Sequence, residues 1–194
     1  MSENIMKFAY NGTFFTRAFF DDGTPLGDGG GSACRIDLLP QAFASFAKIG
    51  TPEQRRKALN TAYSLLADEK NGIIKLFSPP FTQSTRRAGY VNDYPAGVRE
   101  NGGQYTHAAV WFALALLNEG MTRQAAQTTA MLLPSLKNGN YGREPYALCG
   151  DVYSMTGAEG KGGWSLYTGA AGWMLVLAEK WEQTEKHSNK EKTE

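Results

Sequence analysis

The stretch from Gln104 to Leu117 constrains the fold of this chain more than any other, because Ala108, Ala109, Val110, Trp111, Phe112, Leu114, Leu116 and Leu117 leave it apolar nearly all round. A helix with no polar face has no side to turn to water, so other elements must enclose it. The remaining elements are read as what encloses it. From Leu38 the apolar residues Leu39, Ala42, Phe43, Phe46 and Ala47 recur every three to four positions, which predicts a helix broken at Gly50. Thr51-Pro52-Glu53-Gln54 reads as a capping box with proline at the first helical position, opening a helix whose stripe is Ala58, Leu59, Ala62, Tyr63 and Leu66. A more polar helix is expected over about Thr122 to Leu133, a further one over Glu144 to Ser154, and a last one from Trp164 to about Lys186.

Buried and amphipathic helices thus alternate, as they do where two layers of antiparallel helices are packed one inside the other. Before them, Asn11-Gly12 lies between Lys7–Tyr10 and the aromatic run Thr13–Phe20, which predicts a short N-terminal β-hairpin. Asp21-Asp22-Gly23 and Gly27 to Gly31 predict a loop, and Ser78 to Gly103 is a loop too long to be mere connection. The expected organisation is one domain over residues 1–186 and a charged tail over 187–194, with fraying from Glu182 onward.

The 20 basic and 19 acidic side chains are interspersed and leave a net charge of +1, which offers no field for nucleic acid or an anionic membrane. No stretch has about 18 consecutive apolar residues, and no apolar core follows a cationic start, so a cytoplasmic protein is expected. Cys34 and Cys149 stand alone, with neither zinc-ligand spacing nor a disulfide framework.

Two constellations carry chemistry. Asp93–His107 gathers acids, an arginine, aromatics and a histidine at the entry to the buried helix. Its glycines permit close approach, Glu100 and Asn101 can bond several hydroxyls, and Tyr94 can stack on a flat apolar face, which suits a sugar. His107 is aligned with Trp111 four residues on, and a buried imidazole either finds a partner or meets an anion. Gly162–Trp173 sets Ser165 and Thr168 among glycines and aromatics at a helix start, which fits an anion cradle and close helix packing equally well.

These motifs are recognisable. Tyr94-Pro95, Gly97–His107, Asp151-Val152-Tyr153, Gly162-Gly163-Trp164 and Tyr167-Thr168-Gly169, with Asp21–Gly27, Cys34–Asp37 and Ser78–Phe81, resemble successive motifs of glycoside hydrolase family 94 from about Phe14 to Trp181. Their wording is more similar to the cyclic β-1,2-glucan synthase type than to cellobiose phosphorylase. The resemblance implies a mainly α fold, part of an (α/α)6 toroid, and the chemistry of a glycosyltransferase: inverting phosphorolysis of a β-glucan. It implies phosphate binding by His107, Thr168 and Gly169 and sugar contacts from Tyr94, Arg99 and Glu100. Inorganic phosphate is the co-substrate, and neither a metal nor an organic cofactor is called for.

The same resemblance places the general acid in an Asp-Trp-Asn-Asp type motif, and a further phosphate-binding arginine, upstream of everything present here. The expectation is therefore the C-terminal, phosphate- and sugar-contacting half of a phosphorylase site, inactive alone and inclined to self-associate or pair with another chain. Asp21, Asp22 and Asp37 read as turn or capping carboxylates rather than as substitutes for the acid. Ala96 stands where relatives carry a second proline. Two other classes stay open: a noncatalytic carbohydrate-binding protein of the same descent, and a hydrolase pairing Glu100 with another carboxylate, which needs a separation of roughly 6.5–9.5 Å.

Overall fold

The computed structural model of the protein describes residues 1–137 and 139–191. Among them are six α-helices: α1 (Ser2–Ala9), α2 (Leu38–Phe46), α3 (Pro52–Leu66), α4 (Thr106–Asn118), α5 (Thr122–Leu132) and α6 (Thr168–Glu191). The strands are short antiparallel pairs: β1 (Ala18–Phe19) with β2 (Pro25–Leu26), β3 (Ile36–Asp37) with β6 (Phe77–Ser78), β4 (Ala67–Asp68) with β5 (Ile73–Ile74), and β7 (Gln104–Tyr105) with β8 (Asp151–Val152). The fold is mainly α, as the periodicity predicts.

The apolar helix is the hub. Ten of the 13 residues of α4 are buried, and it packs against α2, α5 and α6, with α3 behind α2. Burial on this scale is what lets a helix without a polar face exist in water. Two buried polar side chains beside the core are fully engaged. Gln41, fully buried, accepts from the Phe15 N–H at 2.8 Å and donates to the carbonyls of Phe15 at 2.8 Å and Asp37 at 2.9 Å. Arg55 donates to Glu119 at 2.7 Å and to the Gly50 carbonyl at 2.7 Å, while Ser45 donates to the same Glu119 oxygen at 2.9 Å. The Thr51 capping box forms as read, its hydroxyl accepting from the Gln54 N–H at 3.2 Å.

Four local expectations change. Residues Ser2–Ala9 form a helix, not the first strand of a hairpin; Ile5 and Met6 seat it on the core, and only Tyr10 and Phe15 bridge across the Asn11-Gly12 turn. The hairpin lies later, at β1–β2, around Asp22-Gly23. No helix forms over Glu144–Ser154; Gly150 weakens one there, and Asp151–Val152 instead supplies the ladder that Gln104–Tyr105 needs. The last helix starts at Thr168 rather than Trp164, after Leu166 takes a left-handed φ of 61°. It also continues past Glu182 to Glu191, with Lys186 and Glu182 3.7 Å apart one turn from each other; residues 192–194 of the expected tail lie outside the described residues.

One flank stays open. Phe43, Trp173, Leu175 and Val176 on α2 and α6 are exposed, and Phe46, Leu114, Trp173 and Val176 line a groove of about 470 Å³. Among the described residues no helix is long and apolar enough to cross a membrane.

Asp37 caps α2 by accepting the Leu39 N–H at 2.7 Å, as its capping reading requires, and Asp22 accepts the Thr24 N–H at 3.0 Å in its turn. Burial pushes the Asp37 carboxyl up to about 6, against the lowering effects of Arg17, 3.1 Å away, and the Leu39 N–H. Its folded pKa exceeds its unfolded value of about 3.9, so the stability linked to it is complete below about pH 4 and is lost as pH rises through about 6. The amide introduced by Asp37→Asn does not titrate. The stability difference between the parent and Asp37→Asn, from urea unfolding, should therefore move in favour of the variant by about 2 kcal/mol between pH 4 and pH 7. A difference that does not change with pH would show that the carboxyl is not perturbed.

Candidate functional site

The β7–β8 ladder is the frame on which both constellations are mounted. It pairs Gln104 with Val152 and Tyr105 with Asp151, so the loop before β7 and the loop after β8 start from adjacent backbone. The first of these loops, 94–103, turns tightly: Gly97 N–H donates to the Asn101 carbonyl at 2.8 Å, Asn101 N–H to Val98 at 3.0 Å, and Arg99 is left-handed at φ 50°. Gly97 is needed twice, for its φ of 83° and because a Cβ there would collide with the Met155 nitrogen.

Asp151 ties the two loops together. It is buried, and its carboxylate accepts the Arg99 N–H at 3.2 Å and the Trp164 N–H at 3.4 Å. A Cβ on Gly163 would overlap the same carboxylate, so glycine there is what allows the second loop to close over it. Burial raises the Asp151 pKa, while these N–H groups and the Arg99 charge oppose the rise. Asn101 is fully buried and spent on backbone: it accepts from Phe81 N–H at 2.7 Å and donates to the carbonyls of Phe81 at 3.0 Å and Tyr94 at 2.8 Å. The expectation that it bonds sugar hydroxyls is thereby corrected, since both donor positions of its amide are taken.

The three expected sugar contacts lie together. The Arg99 guanidinium lies 5.2 Å from the Tyr94 ring centroid and 3.8 Å from Glu100 Oε2. Burial alone would lower the Arg99 pKa, but Tyr94, Glu100, Tyr167 and Asp151 around it raise it. Glu100 Oε2 is buried and has no hydrogen-bond partner, and the side chain faces a cavity of about 220 Å³ shared with Tyr90, Tyr105, Arg17 and Asp37. A carboxylate oxygen that neighbours an arginine at 3.8 Å yet makes no hydrogen bond retains the capacity to accept one from a hydroxyl.

The phosphate-binding candidates form the second cluster. His107, in the first turn of α4, lies with its ring 4.4 Å from that of Trp111 and tilted against it, and Trp173 meets Trp111 edge-on at 5.6 Å. Gly169 rests against the imidazole: a Cβ there would be 3.4 Å from His107 Cε1 and 3.5 Å from Nδ1. Thr168 and Gly169 are the first two residues of α6, whose first-turn N–H groups have no intrahelical acceptors. His107 Nε2 and Trp111 Nε1 are both buried without partners. Burial lowers the His107 pKa, so near neutral pH the free imidazole is uncharged. A helix start thus lies on the Cε1–Nδ1 edge of an imidazole whose Nε2 is unsatisfied, and a helix start beside a histidine is an arrangement able to take an anion.

Tyr167 and Tyr105 join the two clusters, and sequence reading missed both roles. Tyr167 precedes the α6 start, packs on Gly150 and lies near Arg99; Tyr105 feels Glu100, Tyr167 and Arg99, and burial raises its pKa. Asp151 was legible only as part of a motif; its one signal is an acid inside the apolar run Ala147–Val152.

The sequence model of the Glycosyl hydrolase 94 superfamily, catalytic domain, matches residues 1–181. The chain is 36% identical over 180 residues to the cyclic β-(1,2)-glucan synthase NdvB of Rhizobium meliloti, covering 90% of this chain and 6% of that protein. It is 28% identical to the 3-O-β-D-glucopyranosyl-β-D-glucuronide phosphorylase of Paenibacillus borealis and 25% identical to the solabiose phosphorylase of the same organism, in each case covering 90% of this chain and 23% of the relative. It thus spans under a quarter of the length of these curated relatives. The match extends through both constellations and the ladder between them, and the chain belongs to the glycosyl hydrolase 94 superfamily.

Proposed function

We propose that this chain supplies the phosphate- and sugar-contacting half of an inverting β-glucan phosphorylase site, with His107, Thr168 and Gly169 holding phosphate and Tyr94, Arg99 and Glu100 contacting the glucosyl units at the scissile bond. The observation that carries the reading is the start of α6 seated on His107, whose Nε2 is buried and unpartnered. In phosphorolysis the phosphate oxygen attacks the anomeric carbon as the glycosidic bond breaks, and the departing oxygen takes a proton from a general acid. Fixed donors around the phosphate hold the nucleophile in line and cost no reorganisation at the moment of reaction. The acid belongs to the part of the site outside this chain. In this reading the helices are one arc of an (α/α)6 toroid in a cytoplasmic protein. The apolar groove between α2, α4 and α6 is then covered by the rest of the barrel or by another copy.

One set of samples tests it. Calorimetry with β-1,2-glucooligosaccharides and phosphate should show both binding, each tightening the other several-fold. The chain alone should release no α-glucose 1-phosphate, and sedimentation should show association at micromolar concentration. Sugar binding indifferent to phosphate points to the noncatalytic carbohydrate-binding alternative. Turnover by the isolated chain would overturn the half-site account.

A further inference from the structure

Among the described residues six buried side-chain atoms have no hydrogen-bond partner, and four of them, Glu100 Oε2, Thr106 Oγ1, His107 Nε2 and Trp111 Nε1, fall between Glu100 and Trp111. A buried polar group without a partner is costly, so a concentration of them at one place points to a ligand that pairs them. Two of the four belong together. His107 and Trp111 are one helical turn apart on the same face of α4, with their ring centroids 4.4 Å apart.

Nothing beside the indole answers its N–H. The other rings against Trp111 are Phe43 at 5.2 Å and Trp173 at 5.6 Å, both edge-on, and neither carries an acceptor oxygen. Burial is the one influence that acts on the His107 pKa, so no carboxylate of the described residues lies beside the imidazole. An indole N–H can only donate, and an imidazole with its proton on Nε2 donates there too. Two neighbouring donors suit a group that has lone pairs and no hydrogens of its own. A water between them would still need acceptors for both of its O–H groups, whereas an oxyanion has none to place.

We infer that Trp111 is a binding residue for the same oxyanion as His107, its indole N–H donating to one oxygen while the imidazole donates to another. This rests on the anion-holding role proposed above for His107, and it adds a donor whose state does not change with pH. Sulfate, whose charge is constant near neutral pH, is the probe. In the nitrogen-labelled parent chain, sulfate should move the Trp111 indole N–H resonance downfield and slow its exchange with water. The Trp181 indole, which donates to Thr129 Oγ1 at 3.3 Å, should stay where it is. Trp111→Phe, which keeps a ring against Phe43 and Trp173, should bind sulfate about tenfold more weakly by calorimetry, and by the same factor at pH 6 and pH 8. A tryptophan that acts only by burying His107 would instead alter the pH trend and leave its own N–H resonance in place. That result, or undiminished sulfate binding by Trp111→Phe, overturns the shared donor and leaves the His107 assignment standing. Failure of the parent to bind either sulfate or phosphate overturns both.

Discussion

Asn101→Ala should lose about 3–5 kcal/mol of folding free energy, with a melting temperature lower by roughly 10 °C and weaker glucan binding as a consequence. The parent amide is fully buried and makes three bonds to backbone, two to Phe81 and one to the Tyr94 carbonyl. Each group left buried and unpaired costs about 1–3 kcal/mol, well above the net worth of an ordinary hydrogen bond. The loss reaches the site because these bonds hold the segment after Pro80 against Tyr94 while Asn101's own backbone closes the turn that carries Arg99 and Glu100. Asn101→Asp separates the effects of shape and bonding: it keeps an acceptor for the Phe81 N–H but sets a second oxygen against two carbonyls, so it should be no better than alanine. If Asn101→Ala melts with the parent while glucan affinity falls, the amide is a sugar contact after all.

Asn101 also shows where sequence reading stops. Its neighbours Glu100 and Arg99 are equally polar and equally close to glycine, and nothing in the string separates a residue facing a cavity from one folded back on its own loop. That choice is made by the left-handed turn at Arg99, which points successive side chains in directions no periodicity encodes. Periodic elements were legible because repetition encodes them: α4 from its unbroken apolar run, α2 from its spacing of three to four, α3 from its capping box and stripe. The β7–β8 ladder was not, since a two-residue strand has no period and its partner is remote in sequence, Tyr105 pairing with Asp151. Misreading Glu144–Ser154 as helix followed from that, because local propensity was weighed without the tertiary hydrogen bonds that override it. The N-terminal helix was lost to the opposite error, a good turn dipeptide taken to imply strands on both sides. Of the site, the resemblance supplied six residues, and the structure brings them into two adjoining clusters; Tyr105 and Tyr167 stand within the same motifs, but nothing in the string assigns them the place between those clusters.

His107→Ala should weaken oxyanion binding by about 10–100-fold, the span expected for removing one charge-assisted hydrogen bond, while leaving the melting temperature of the ligand-free chain nearly unchanged. The pH dependence gives the sharper result. Burial holds the imidazole below its ordinary value in the free protein, so without ligand the stability linked to it is present above about pH 6.5 and is lost as pH falls through the lowered folded pKa. An anion at Nε2 reverses the sign, because it favours the protonated ring: binding takes up a proton, and affinity rises as pH falls from about 8 towards 6. Phosphate titrates in the same range, so sulfate, whose charge is constant there, isolates the contribution of the imidazole. Sulfate should bind more tightly at pH 6 than at pH 8 to the parent and show no such trend with His107→Gln, which keeps a donor but cannot titrate. Equal sulfate affinity at both pH values, or undiminished binding by His107→Ala, would mean that the α6 start rests on His107 only as packing. The run of small residues in Gly169–Gly172 would then serve close approach of helices, the second of the two readings its sequence allowed.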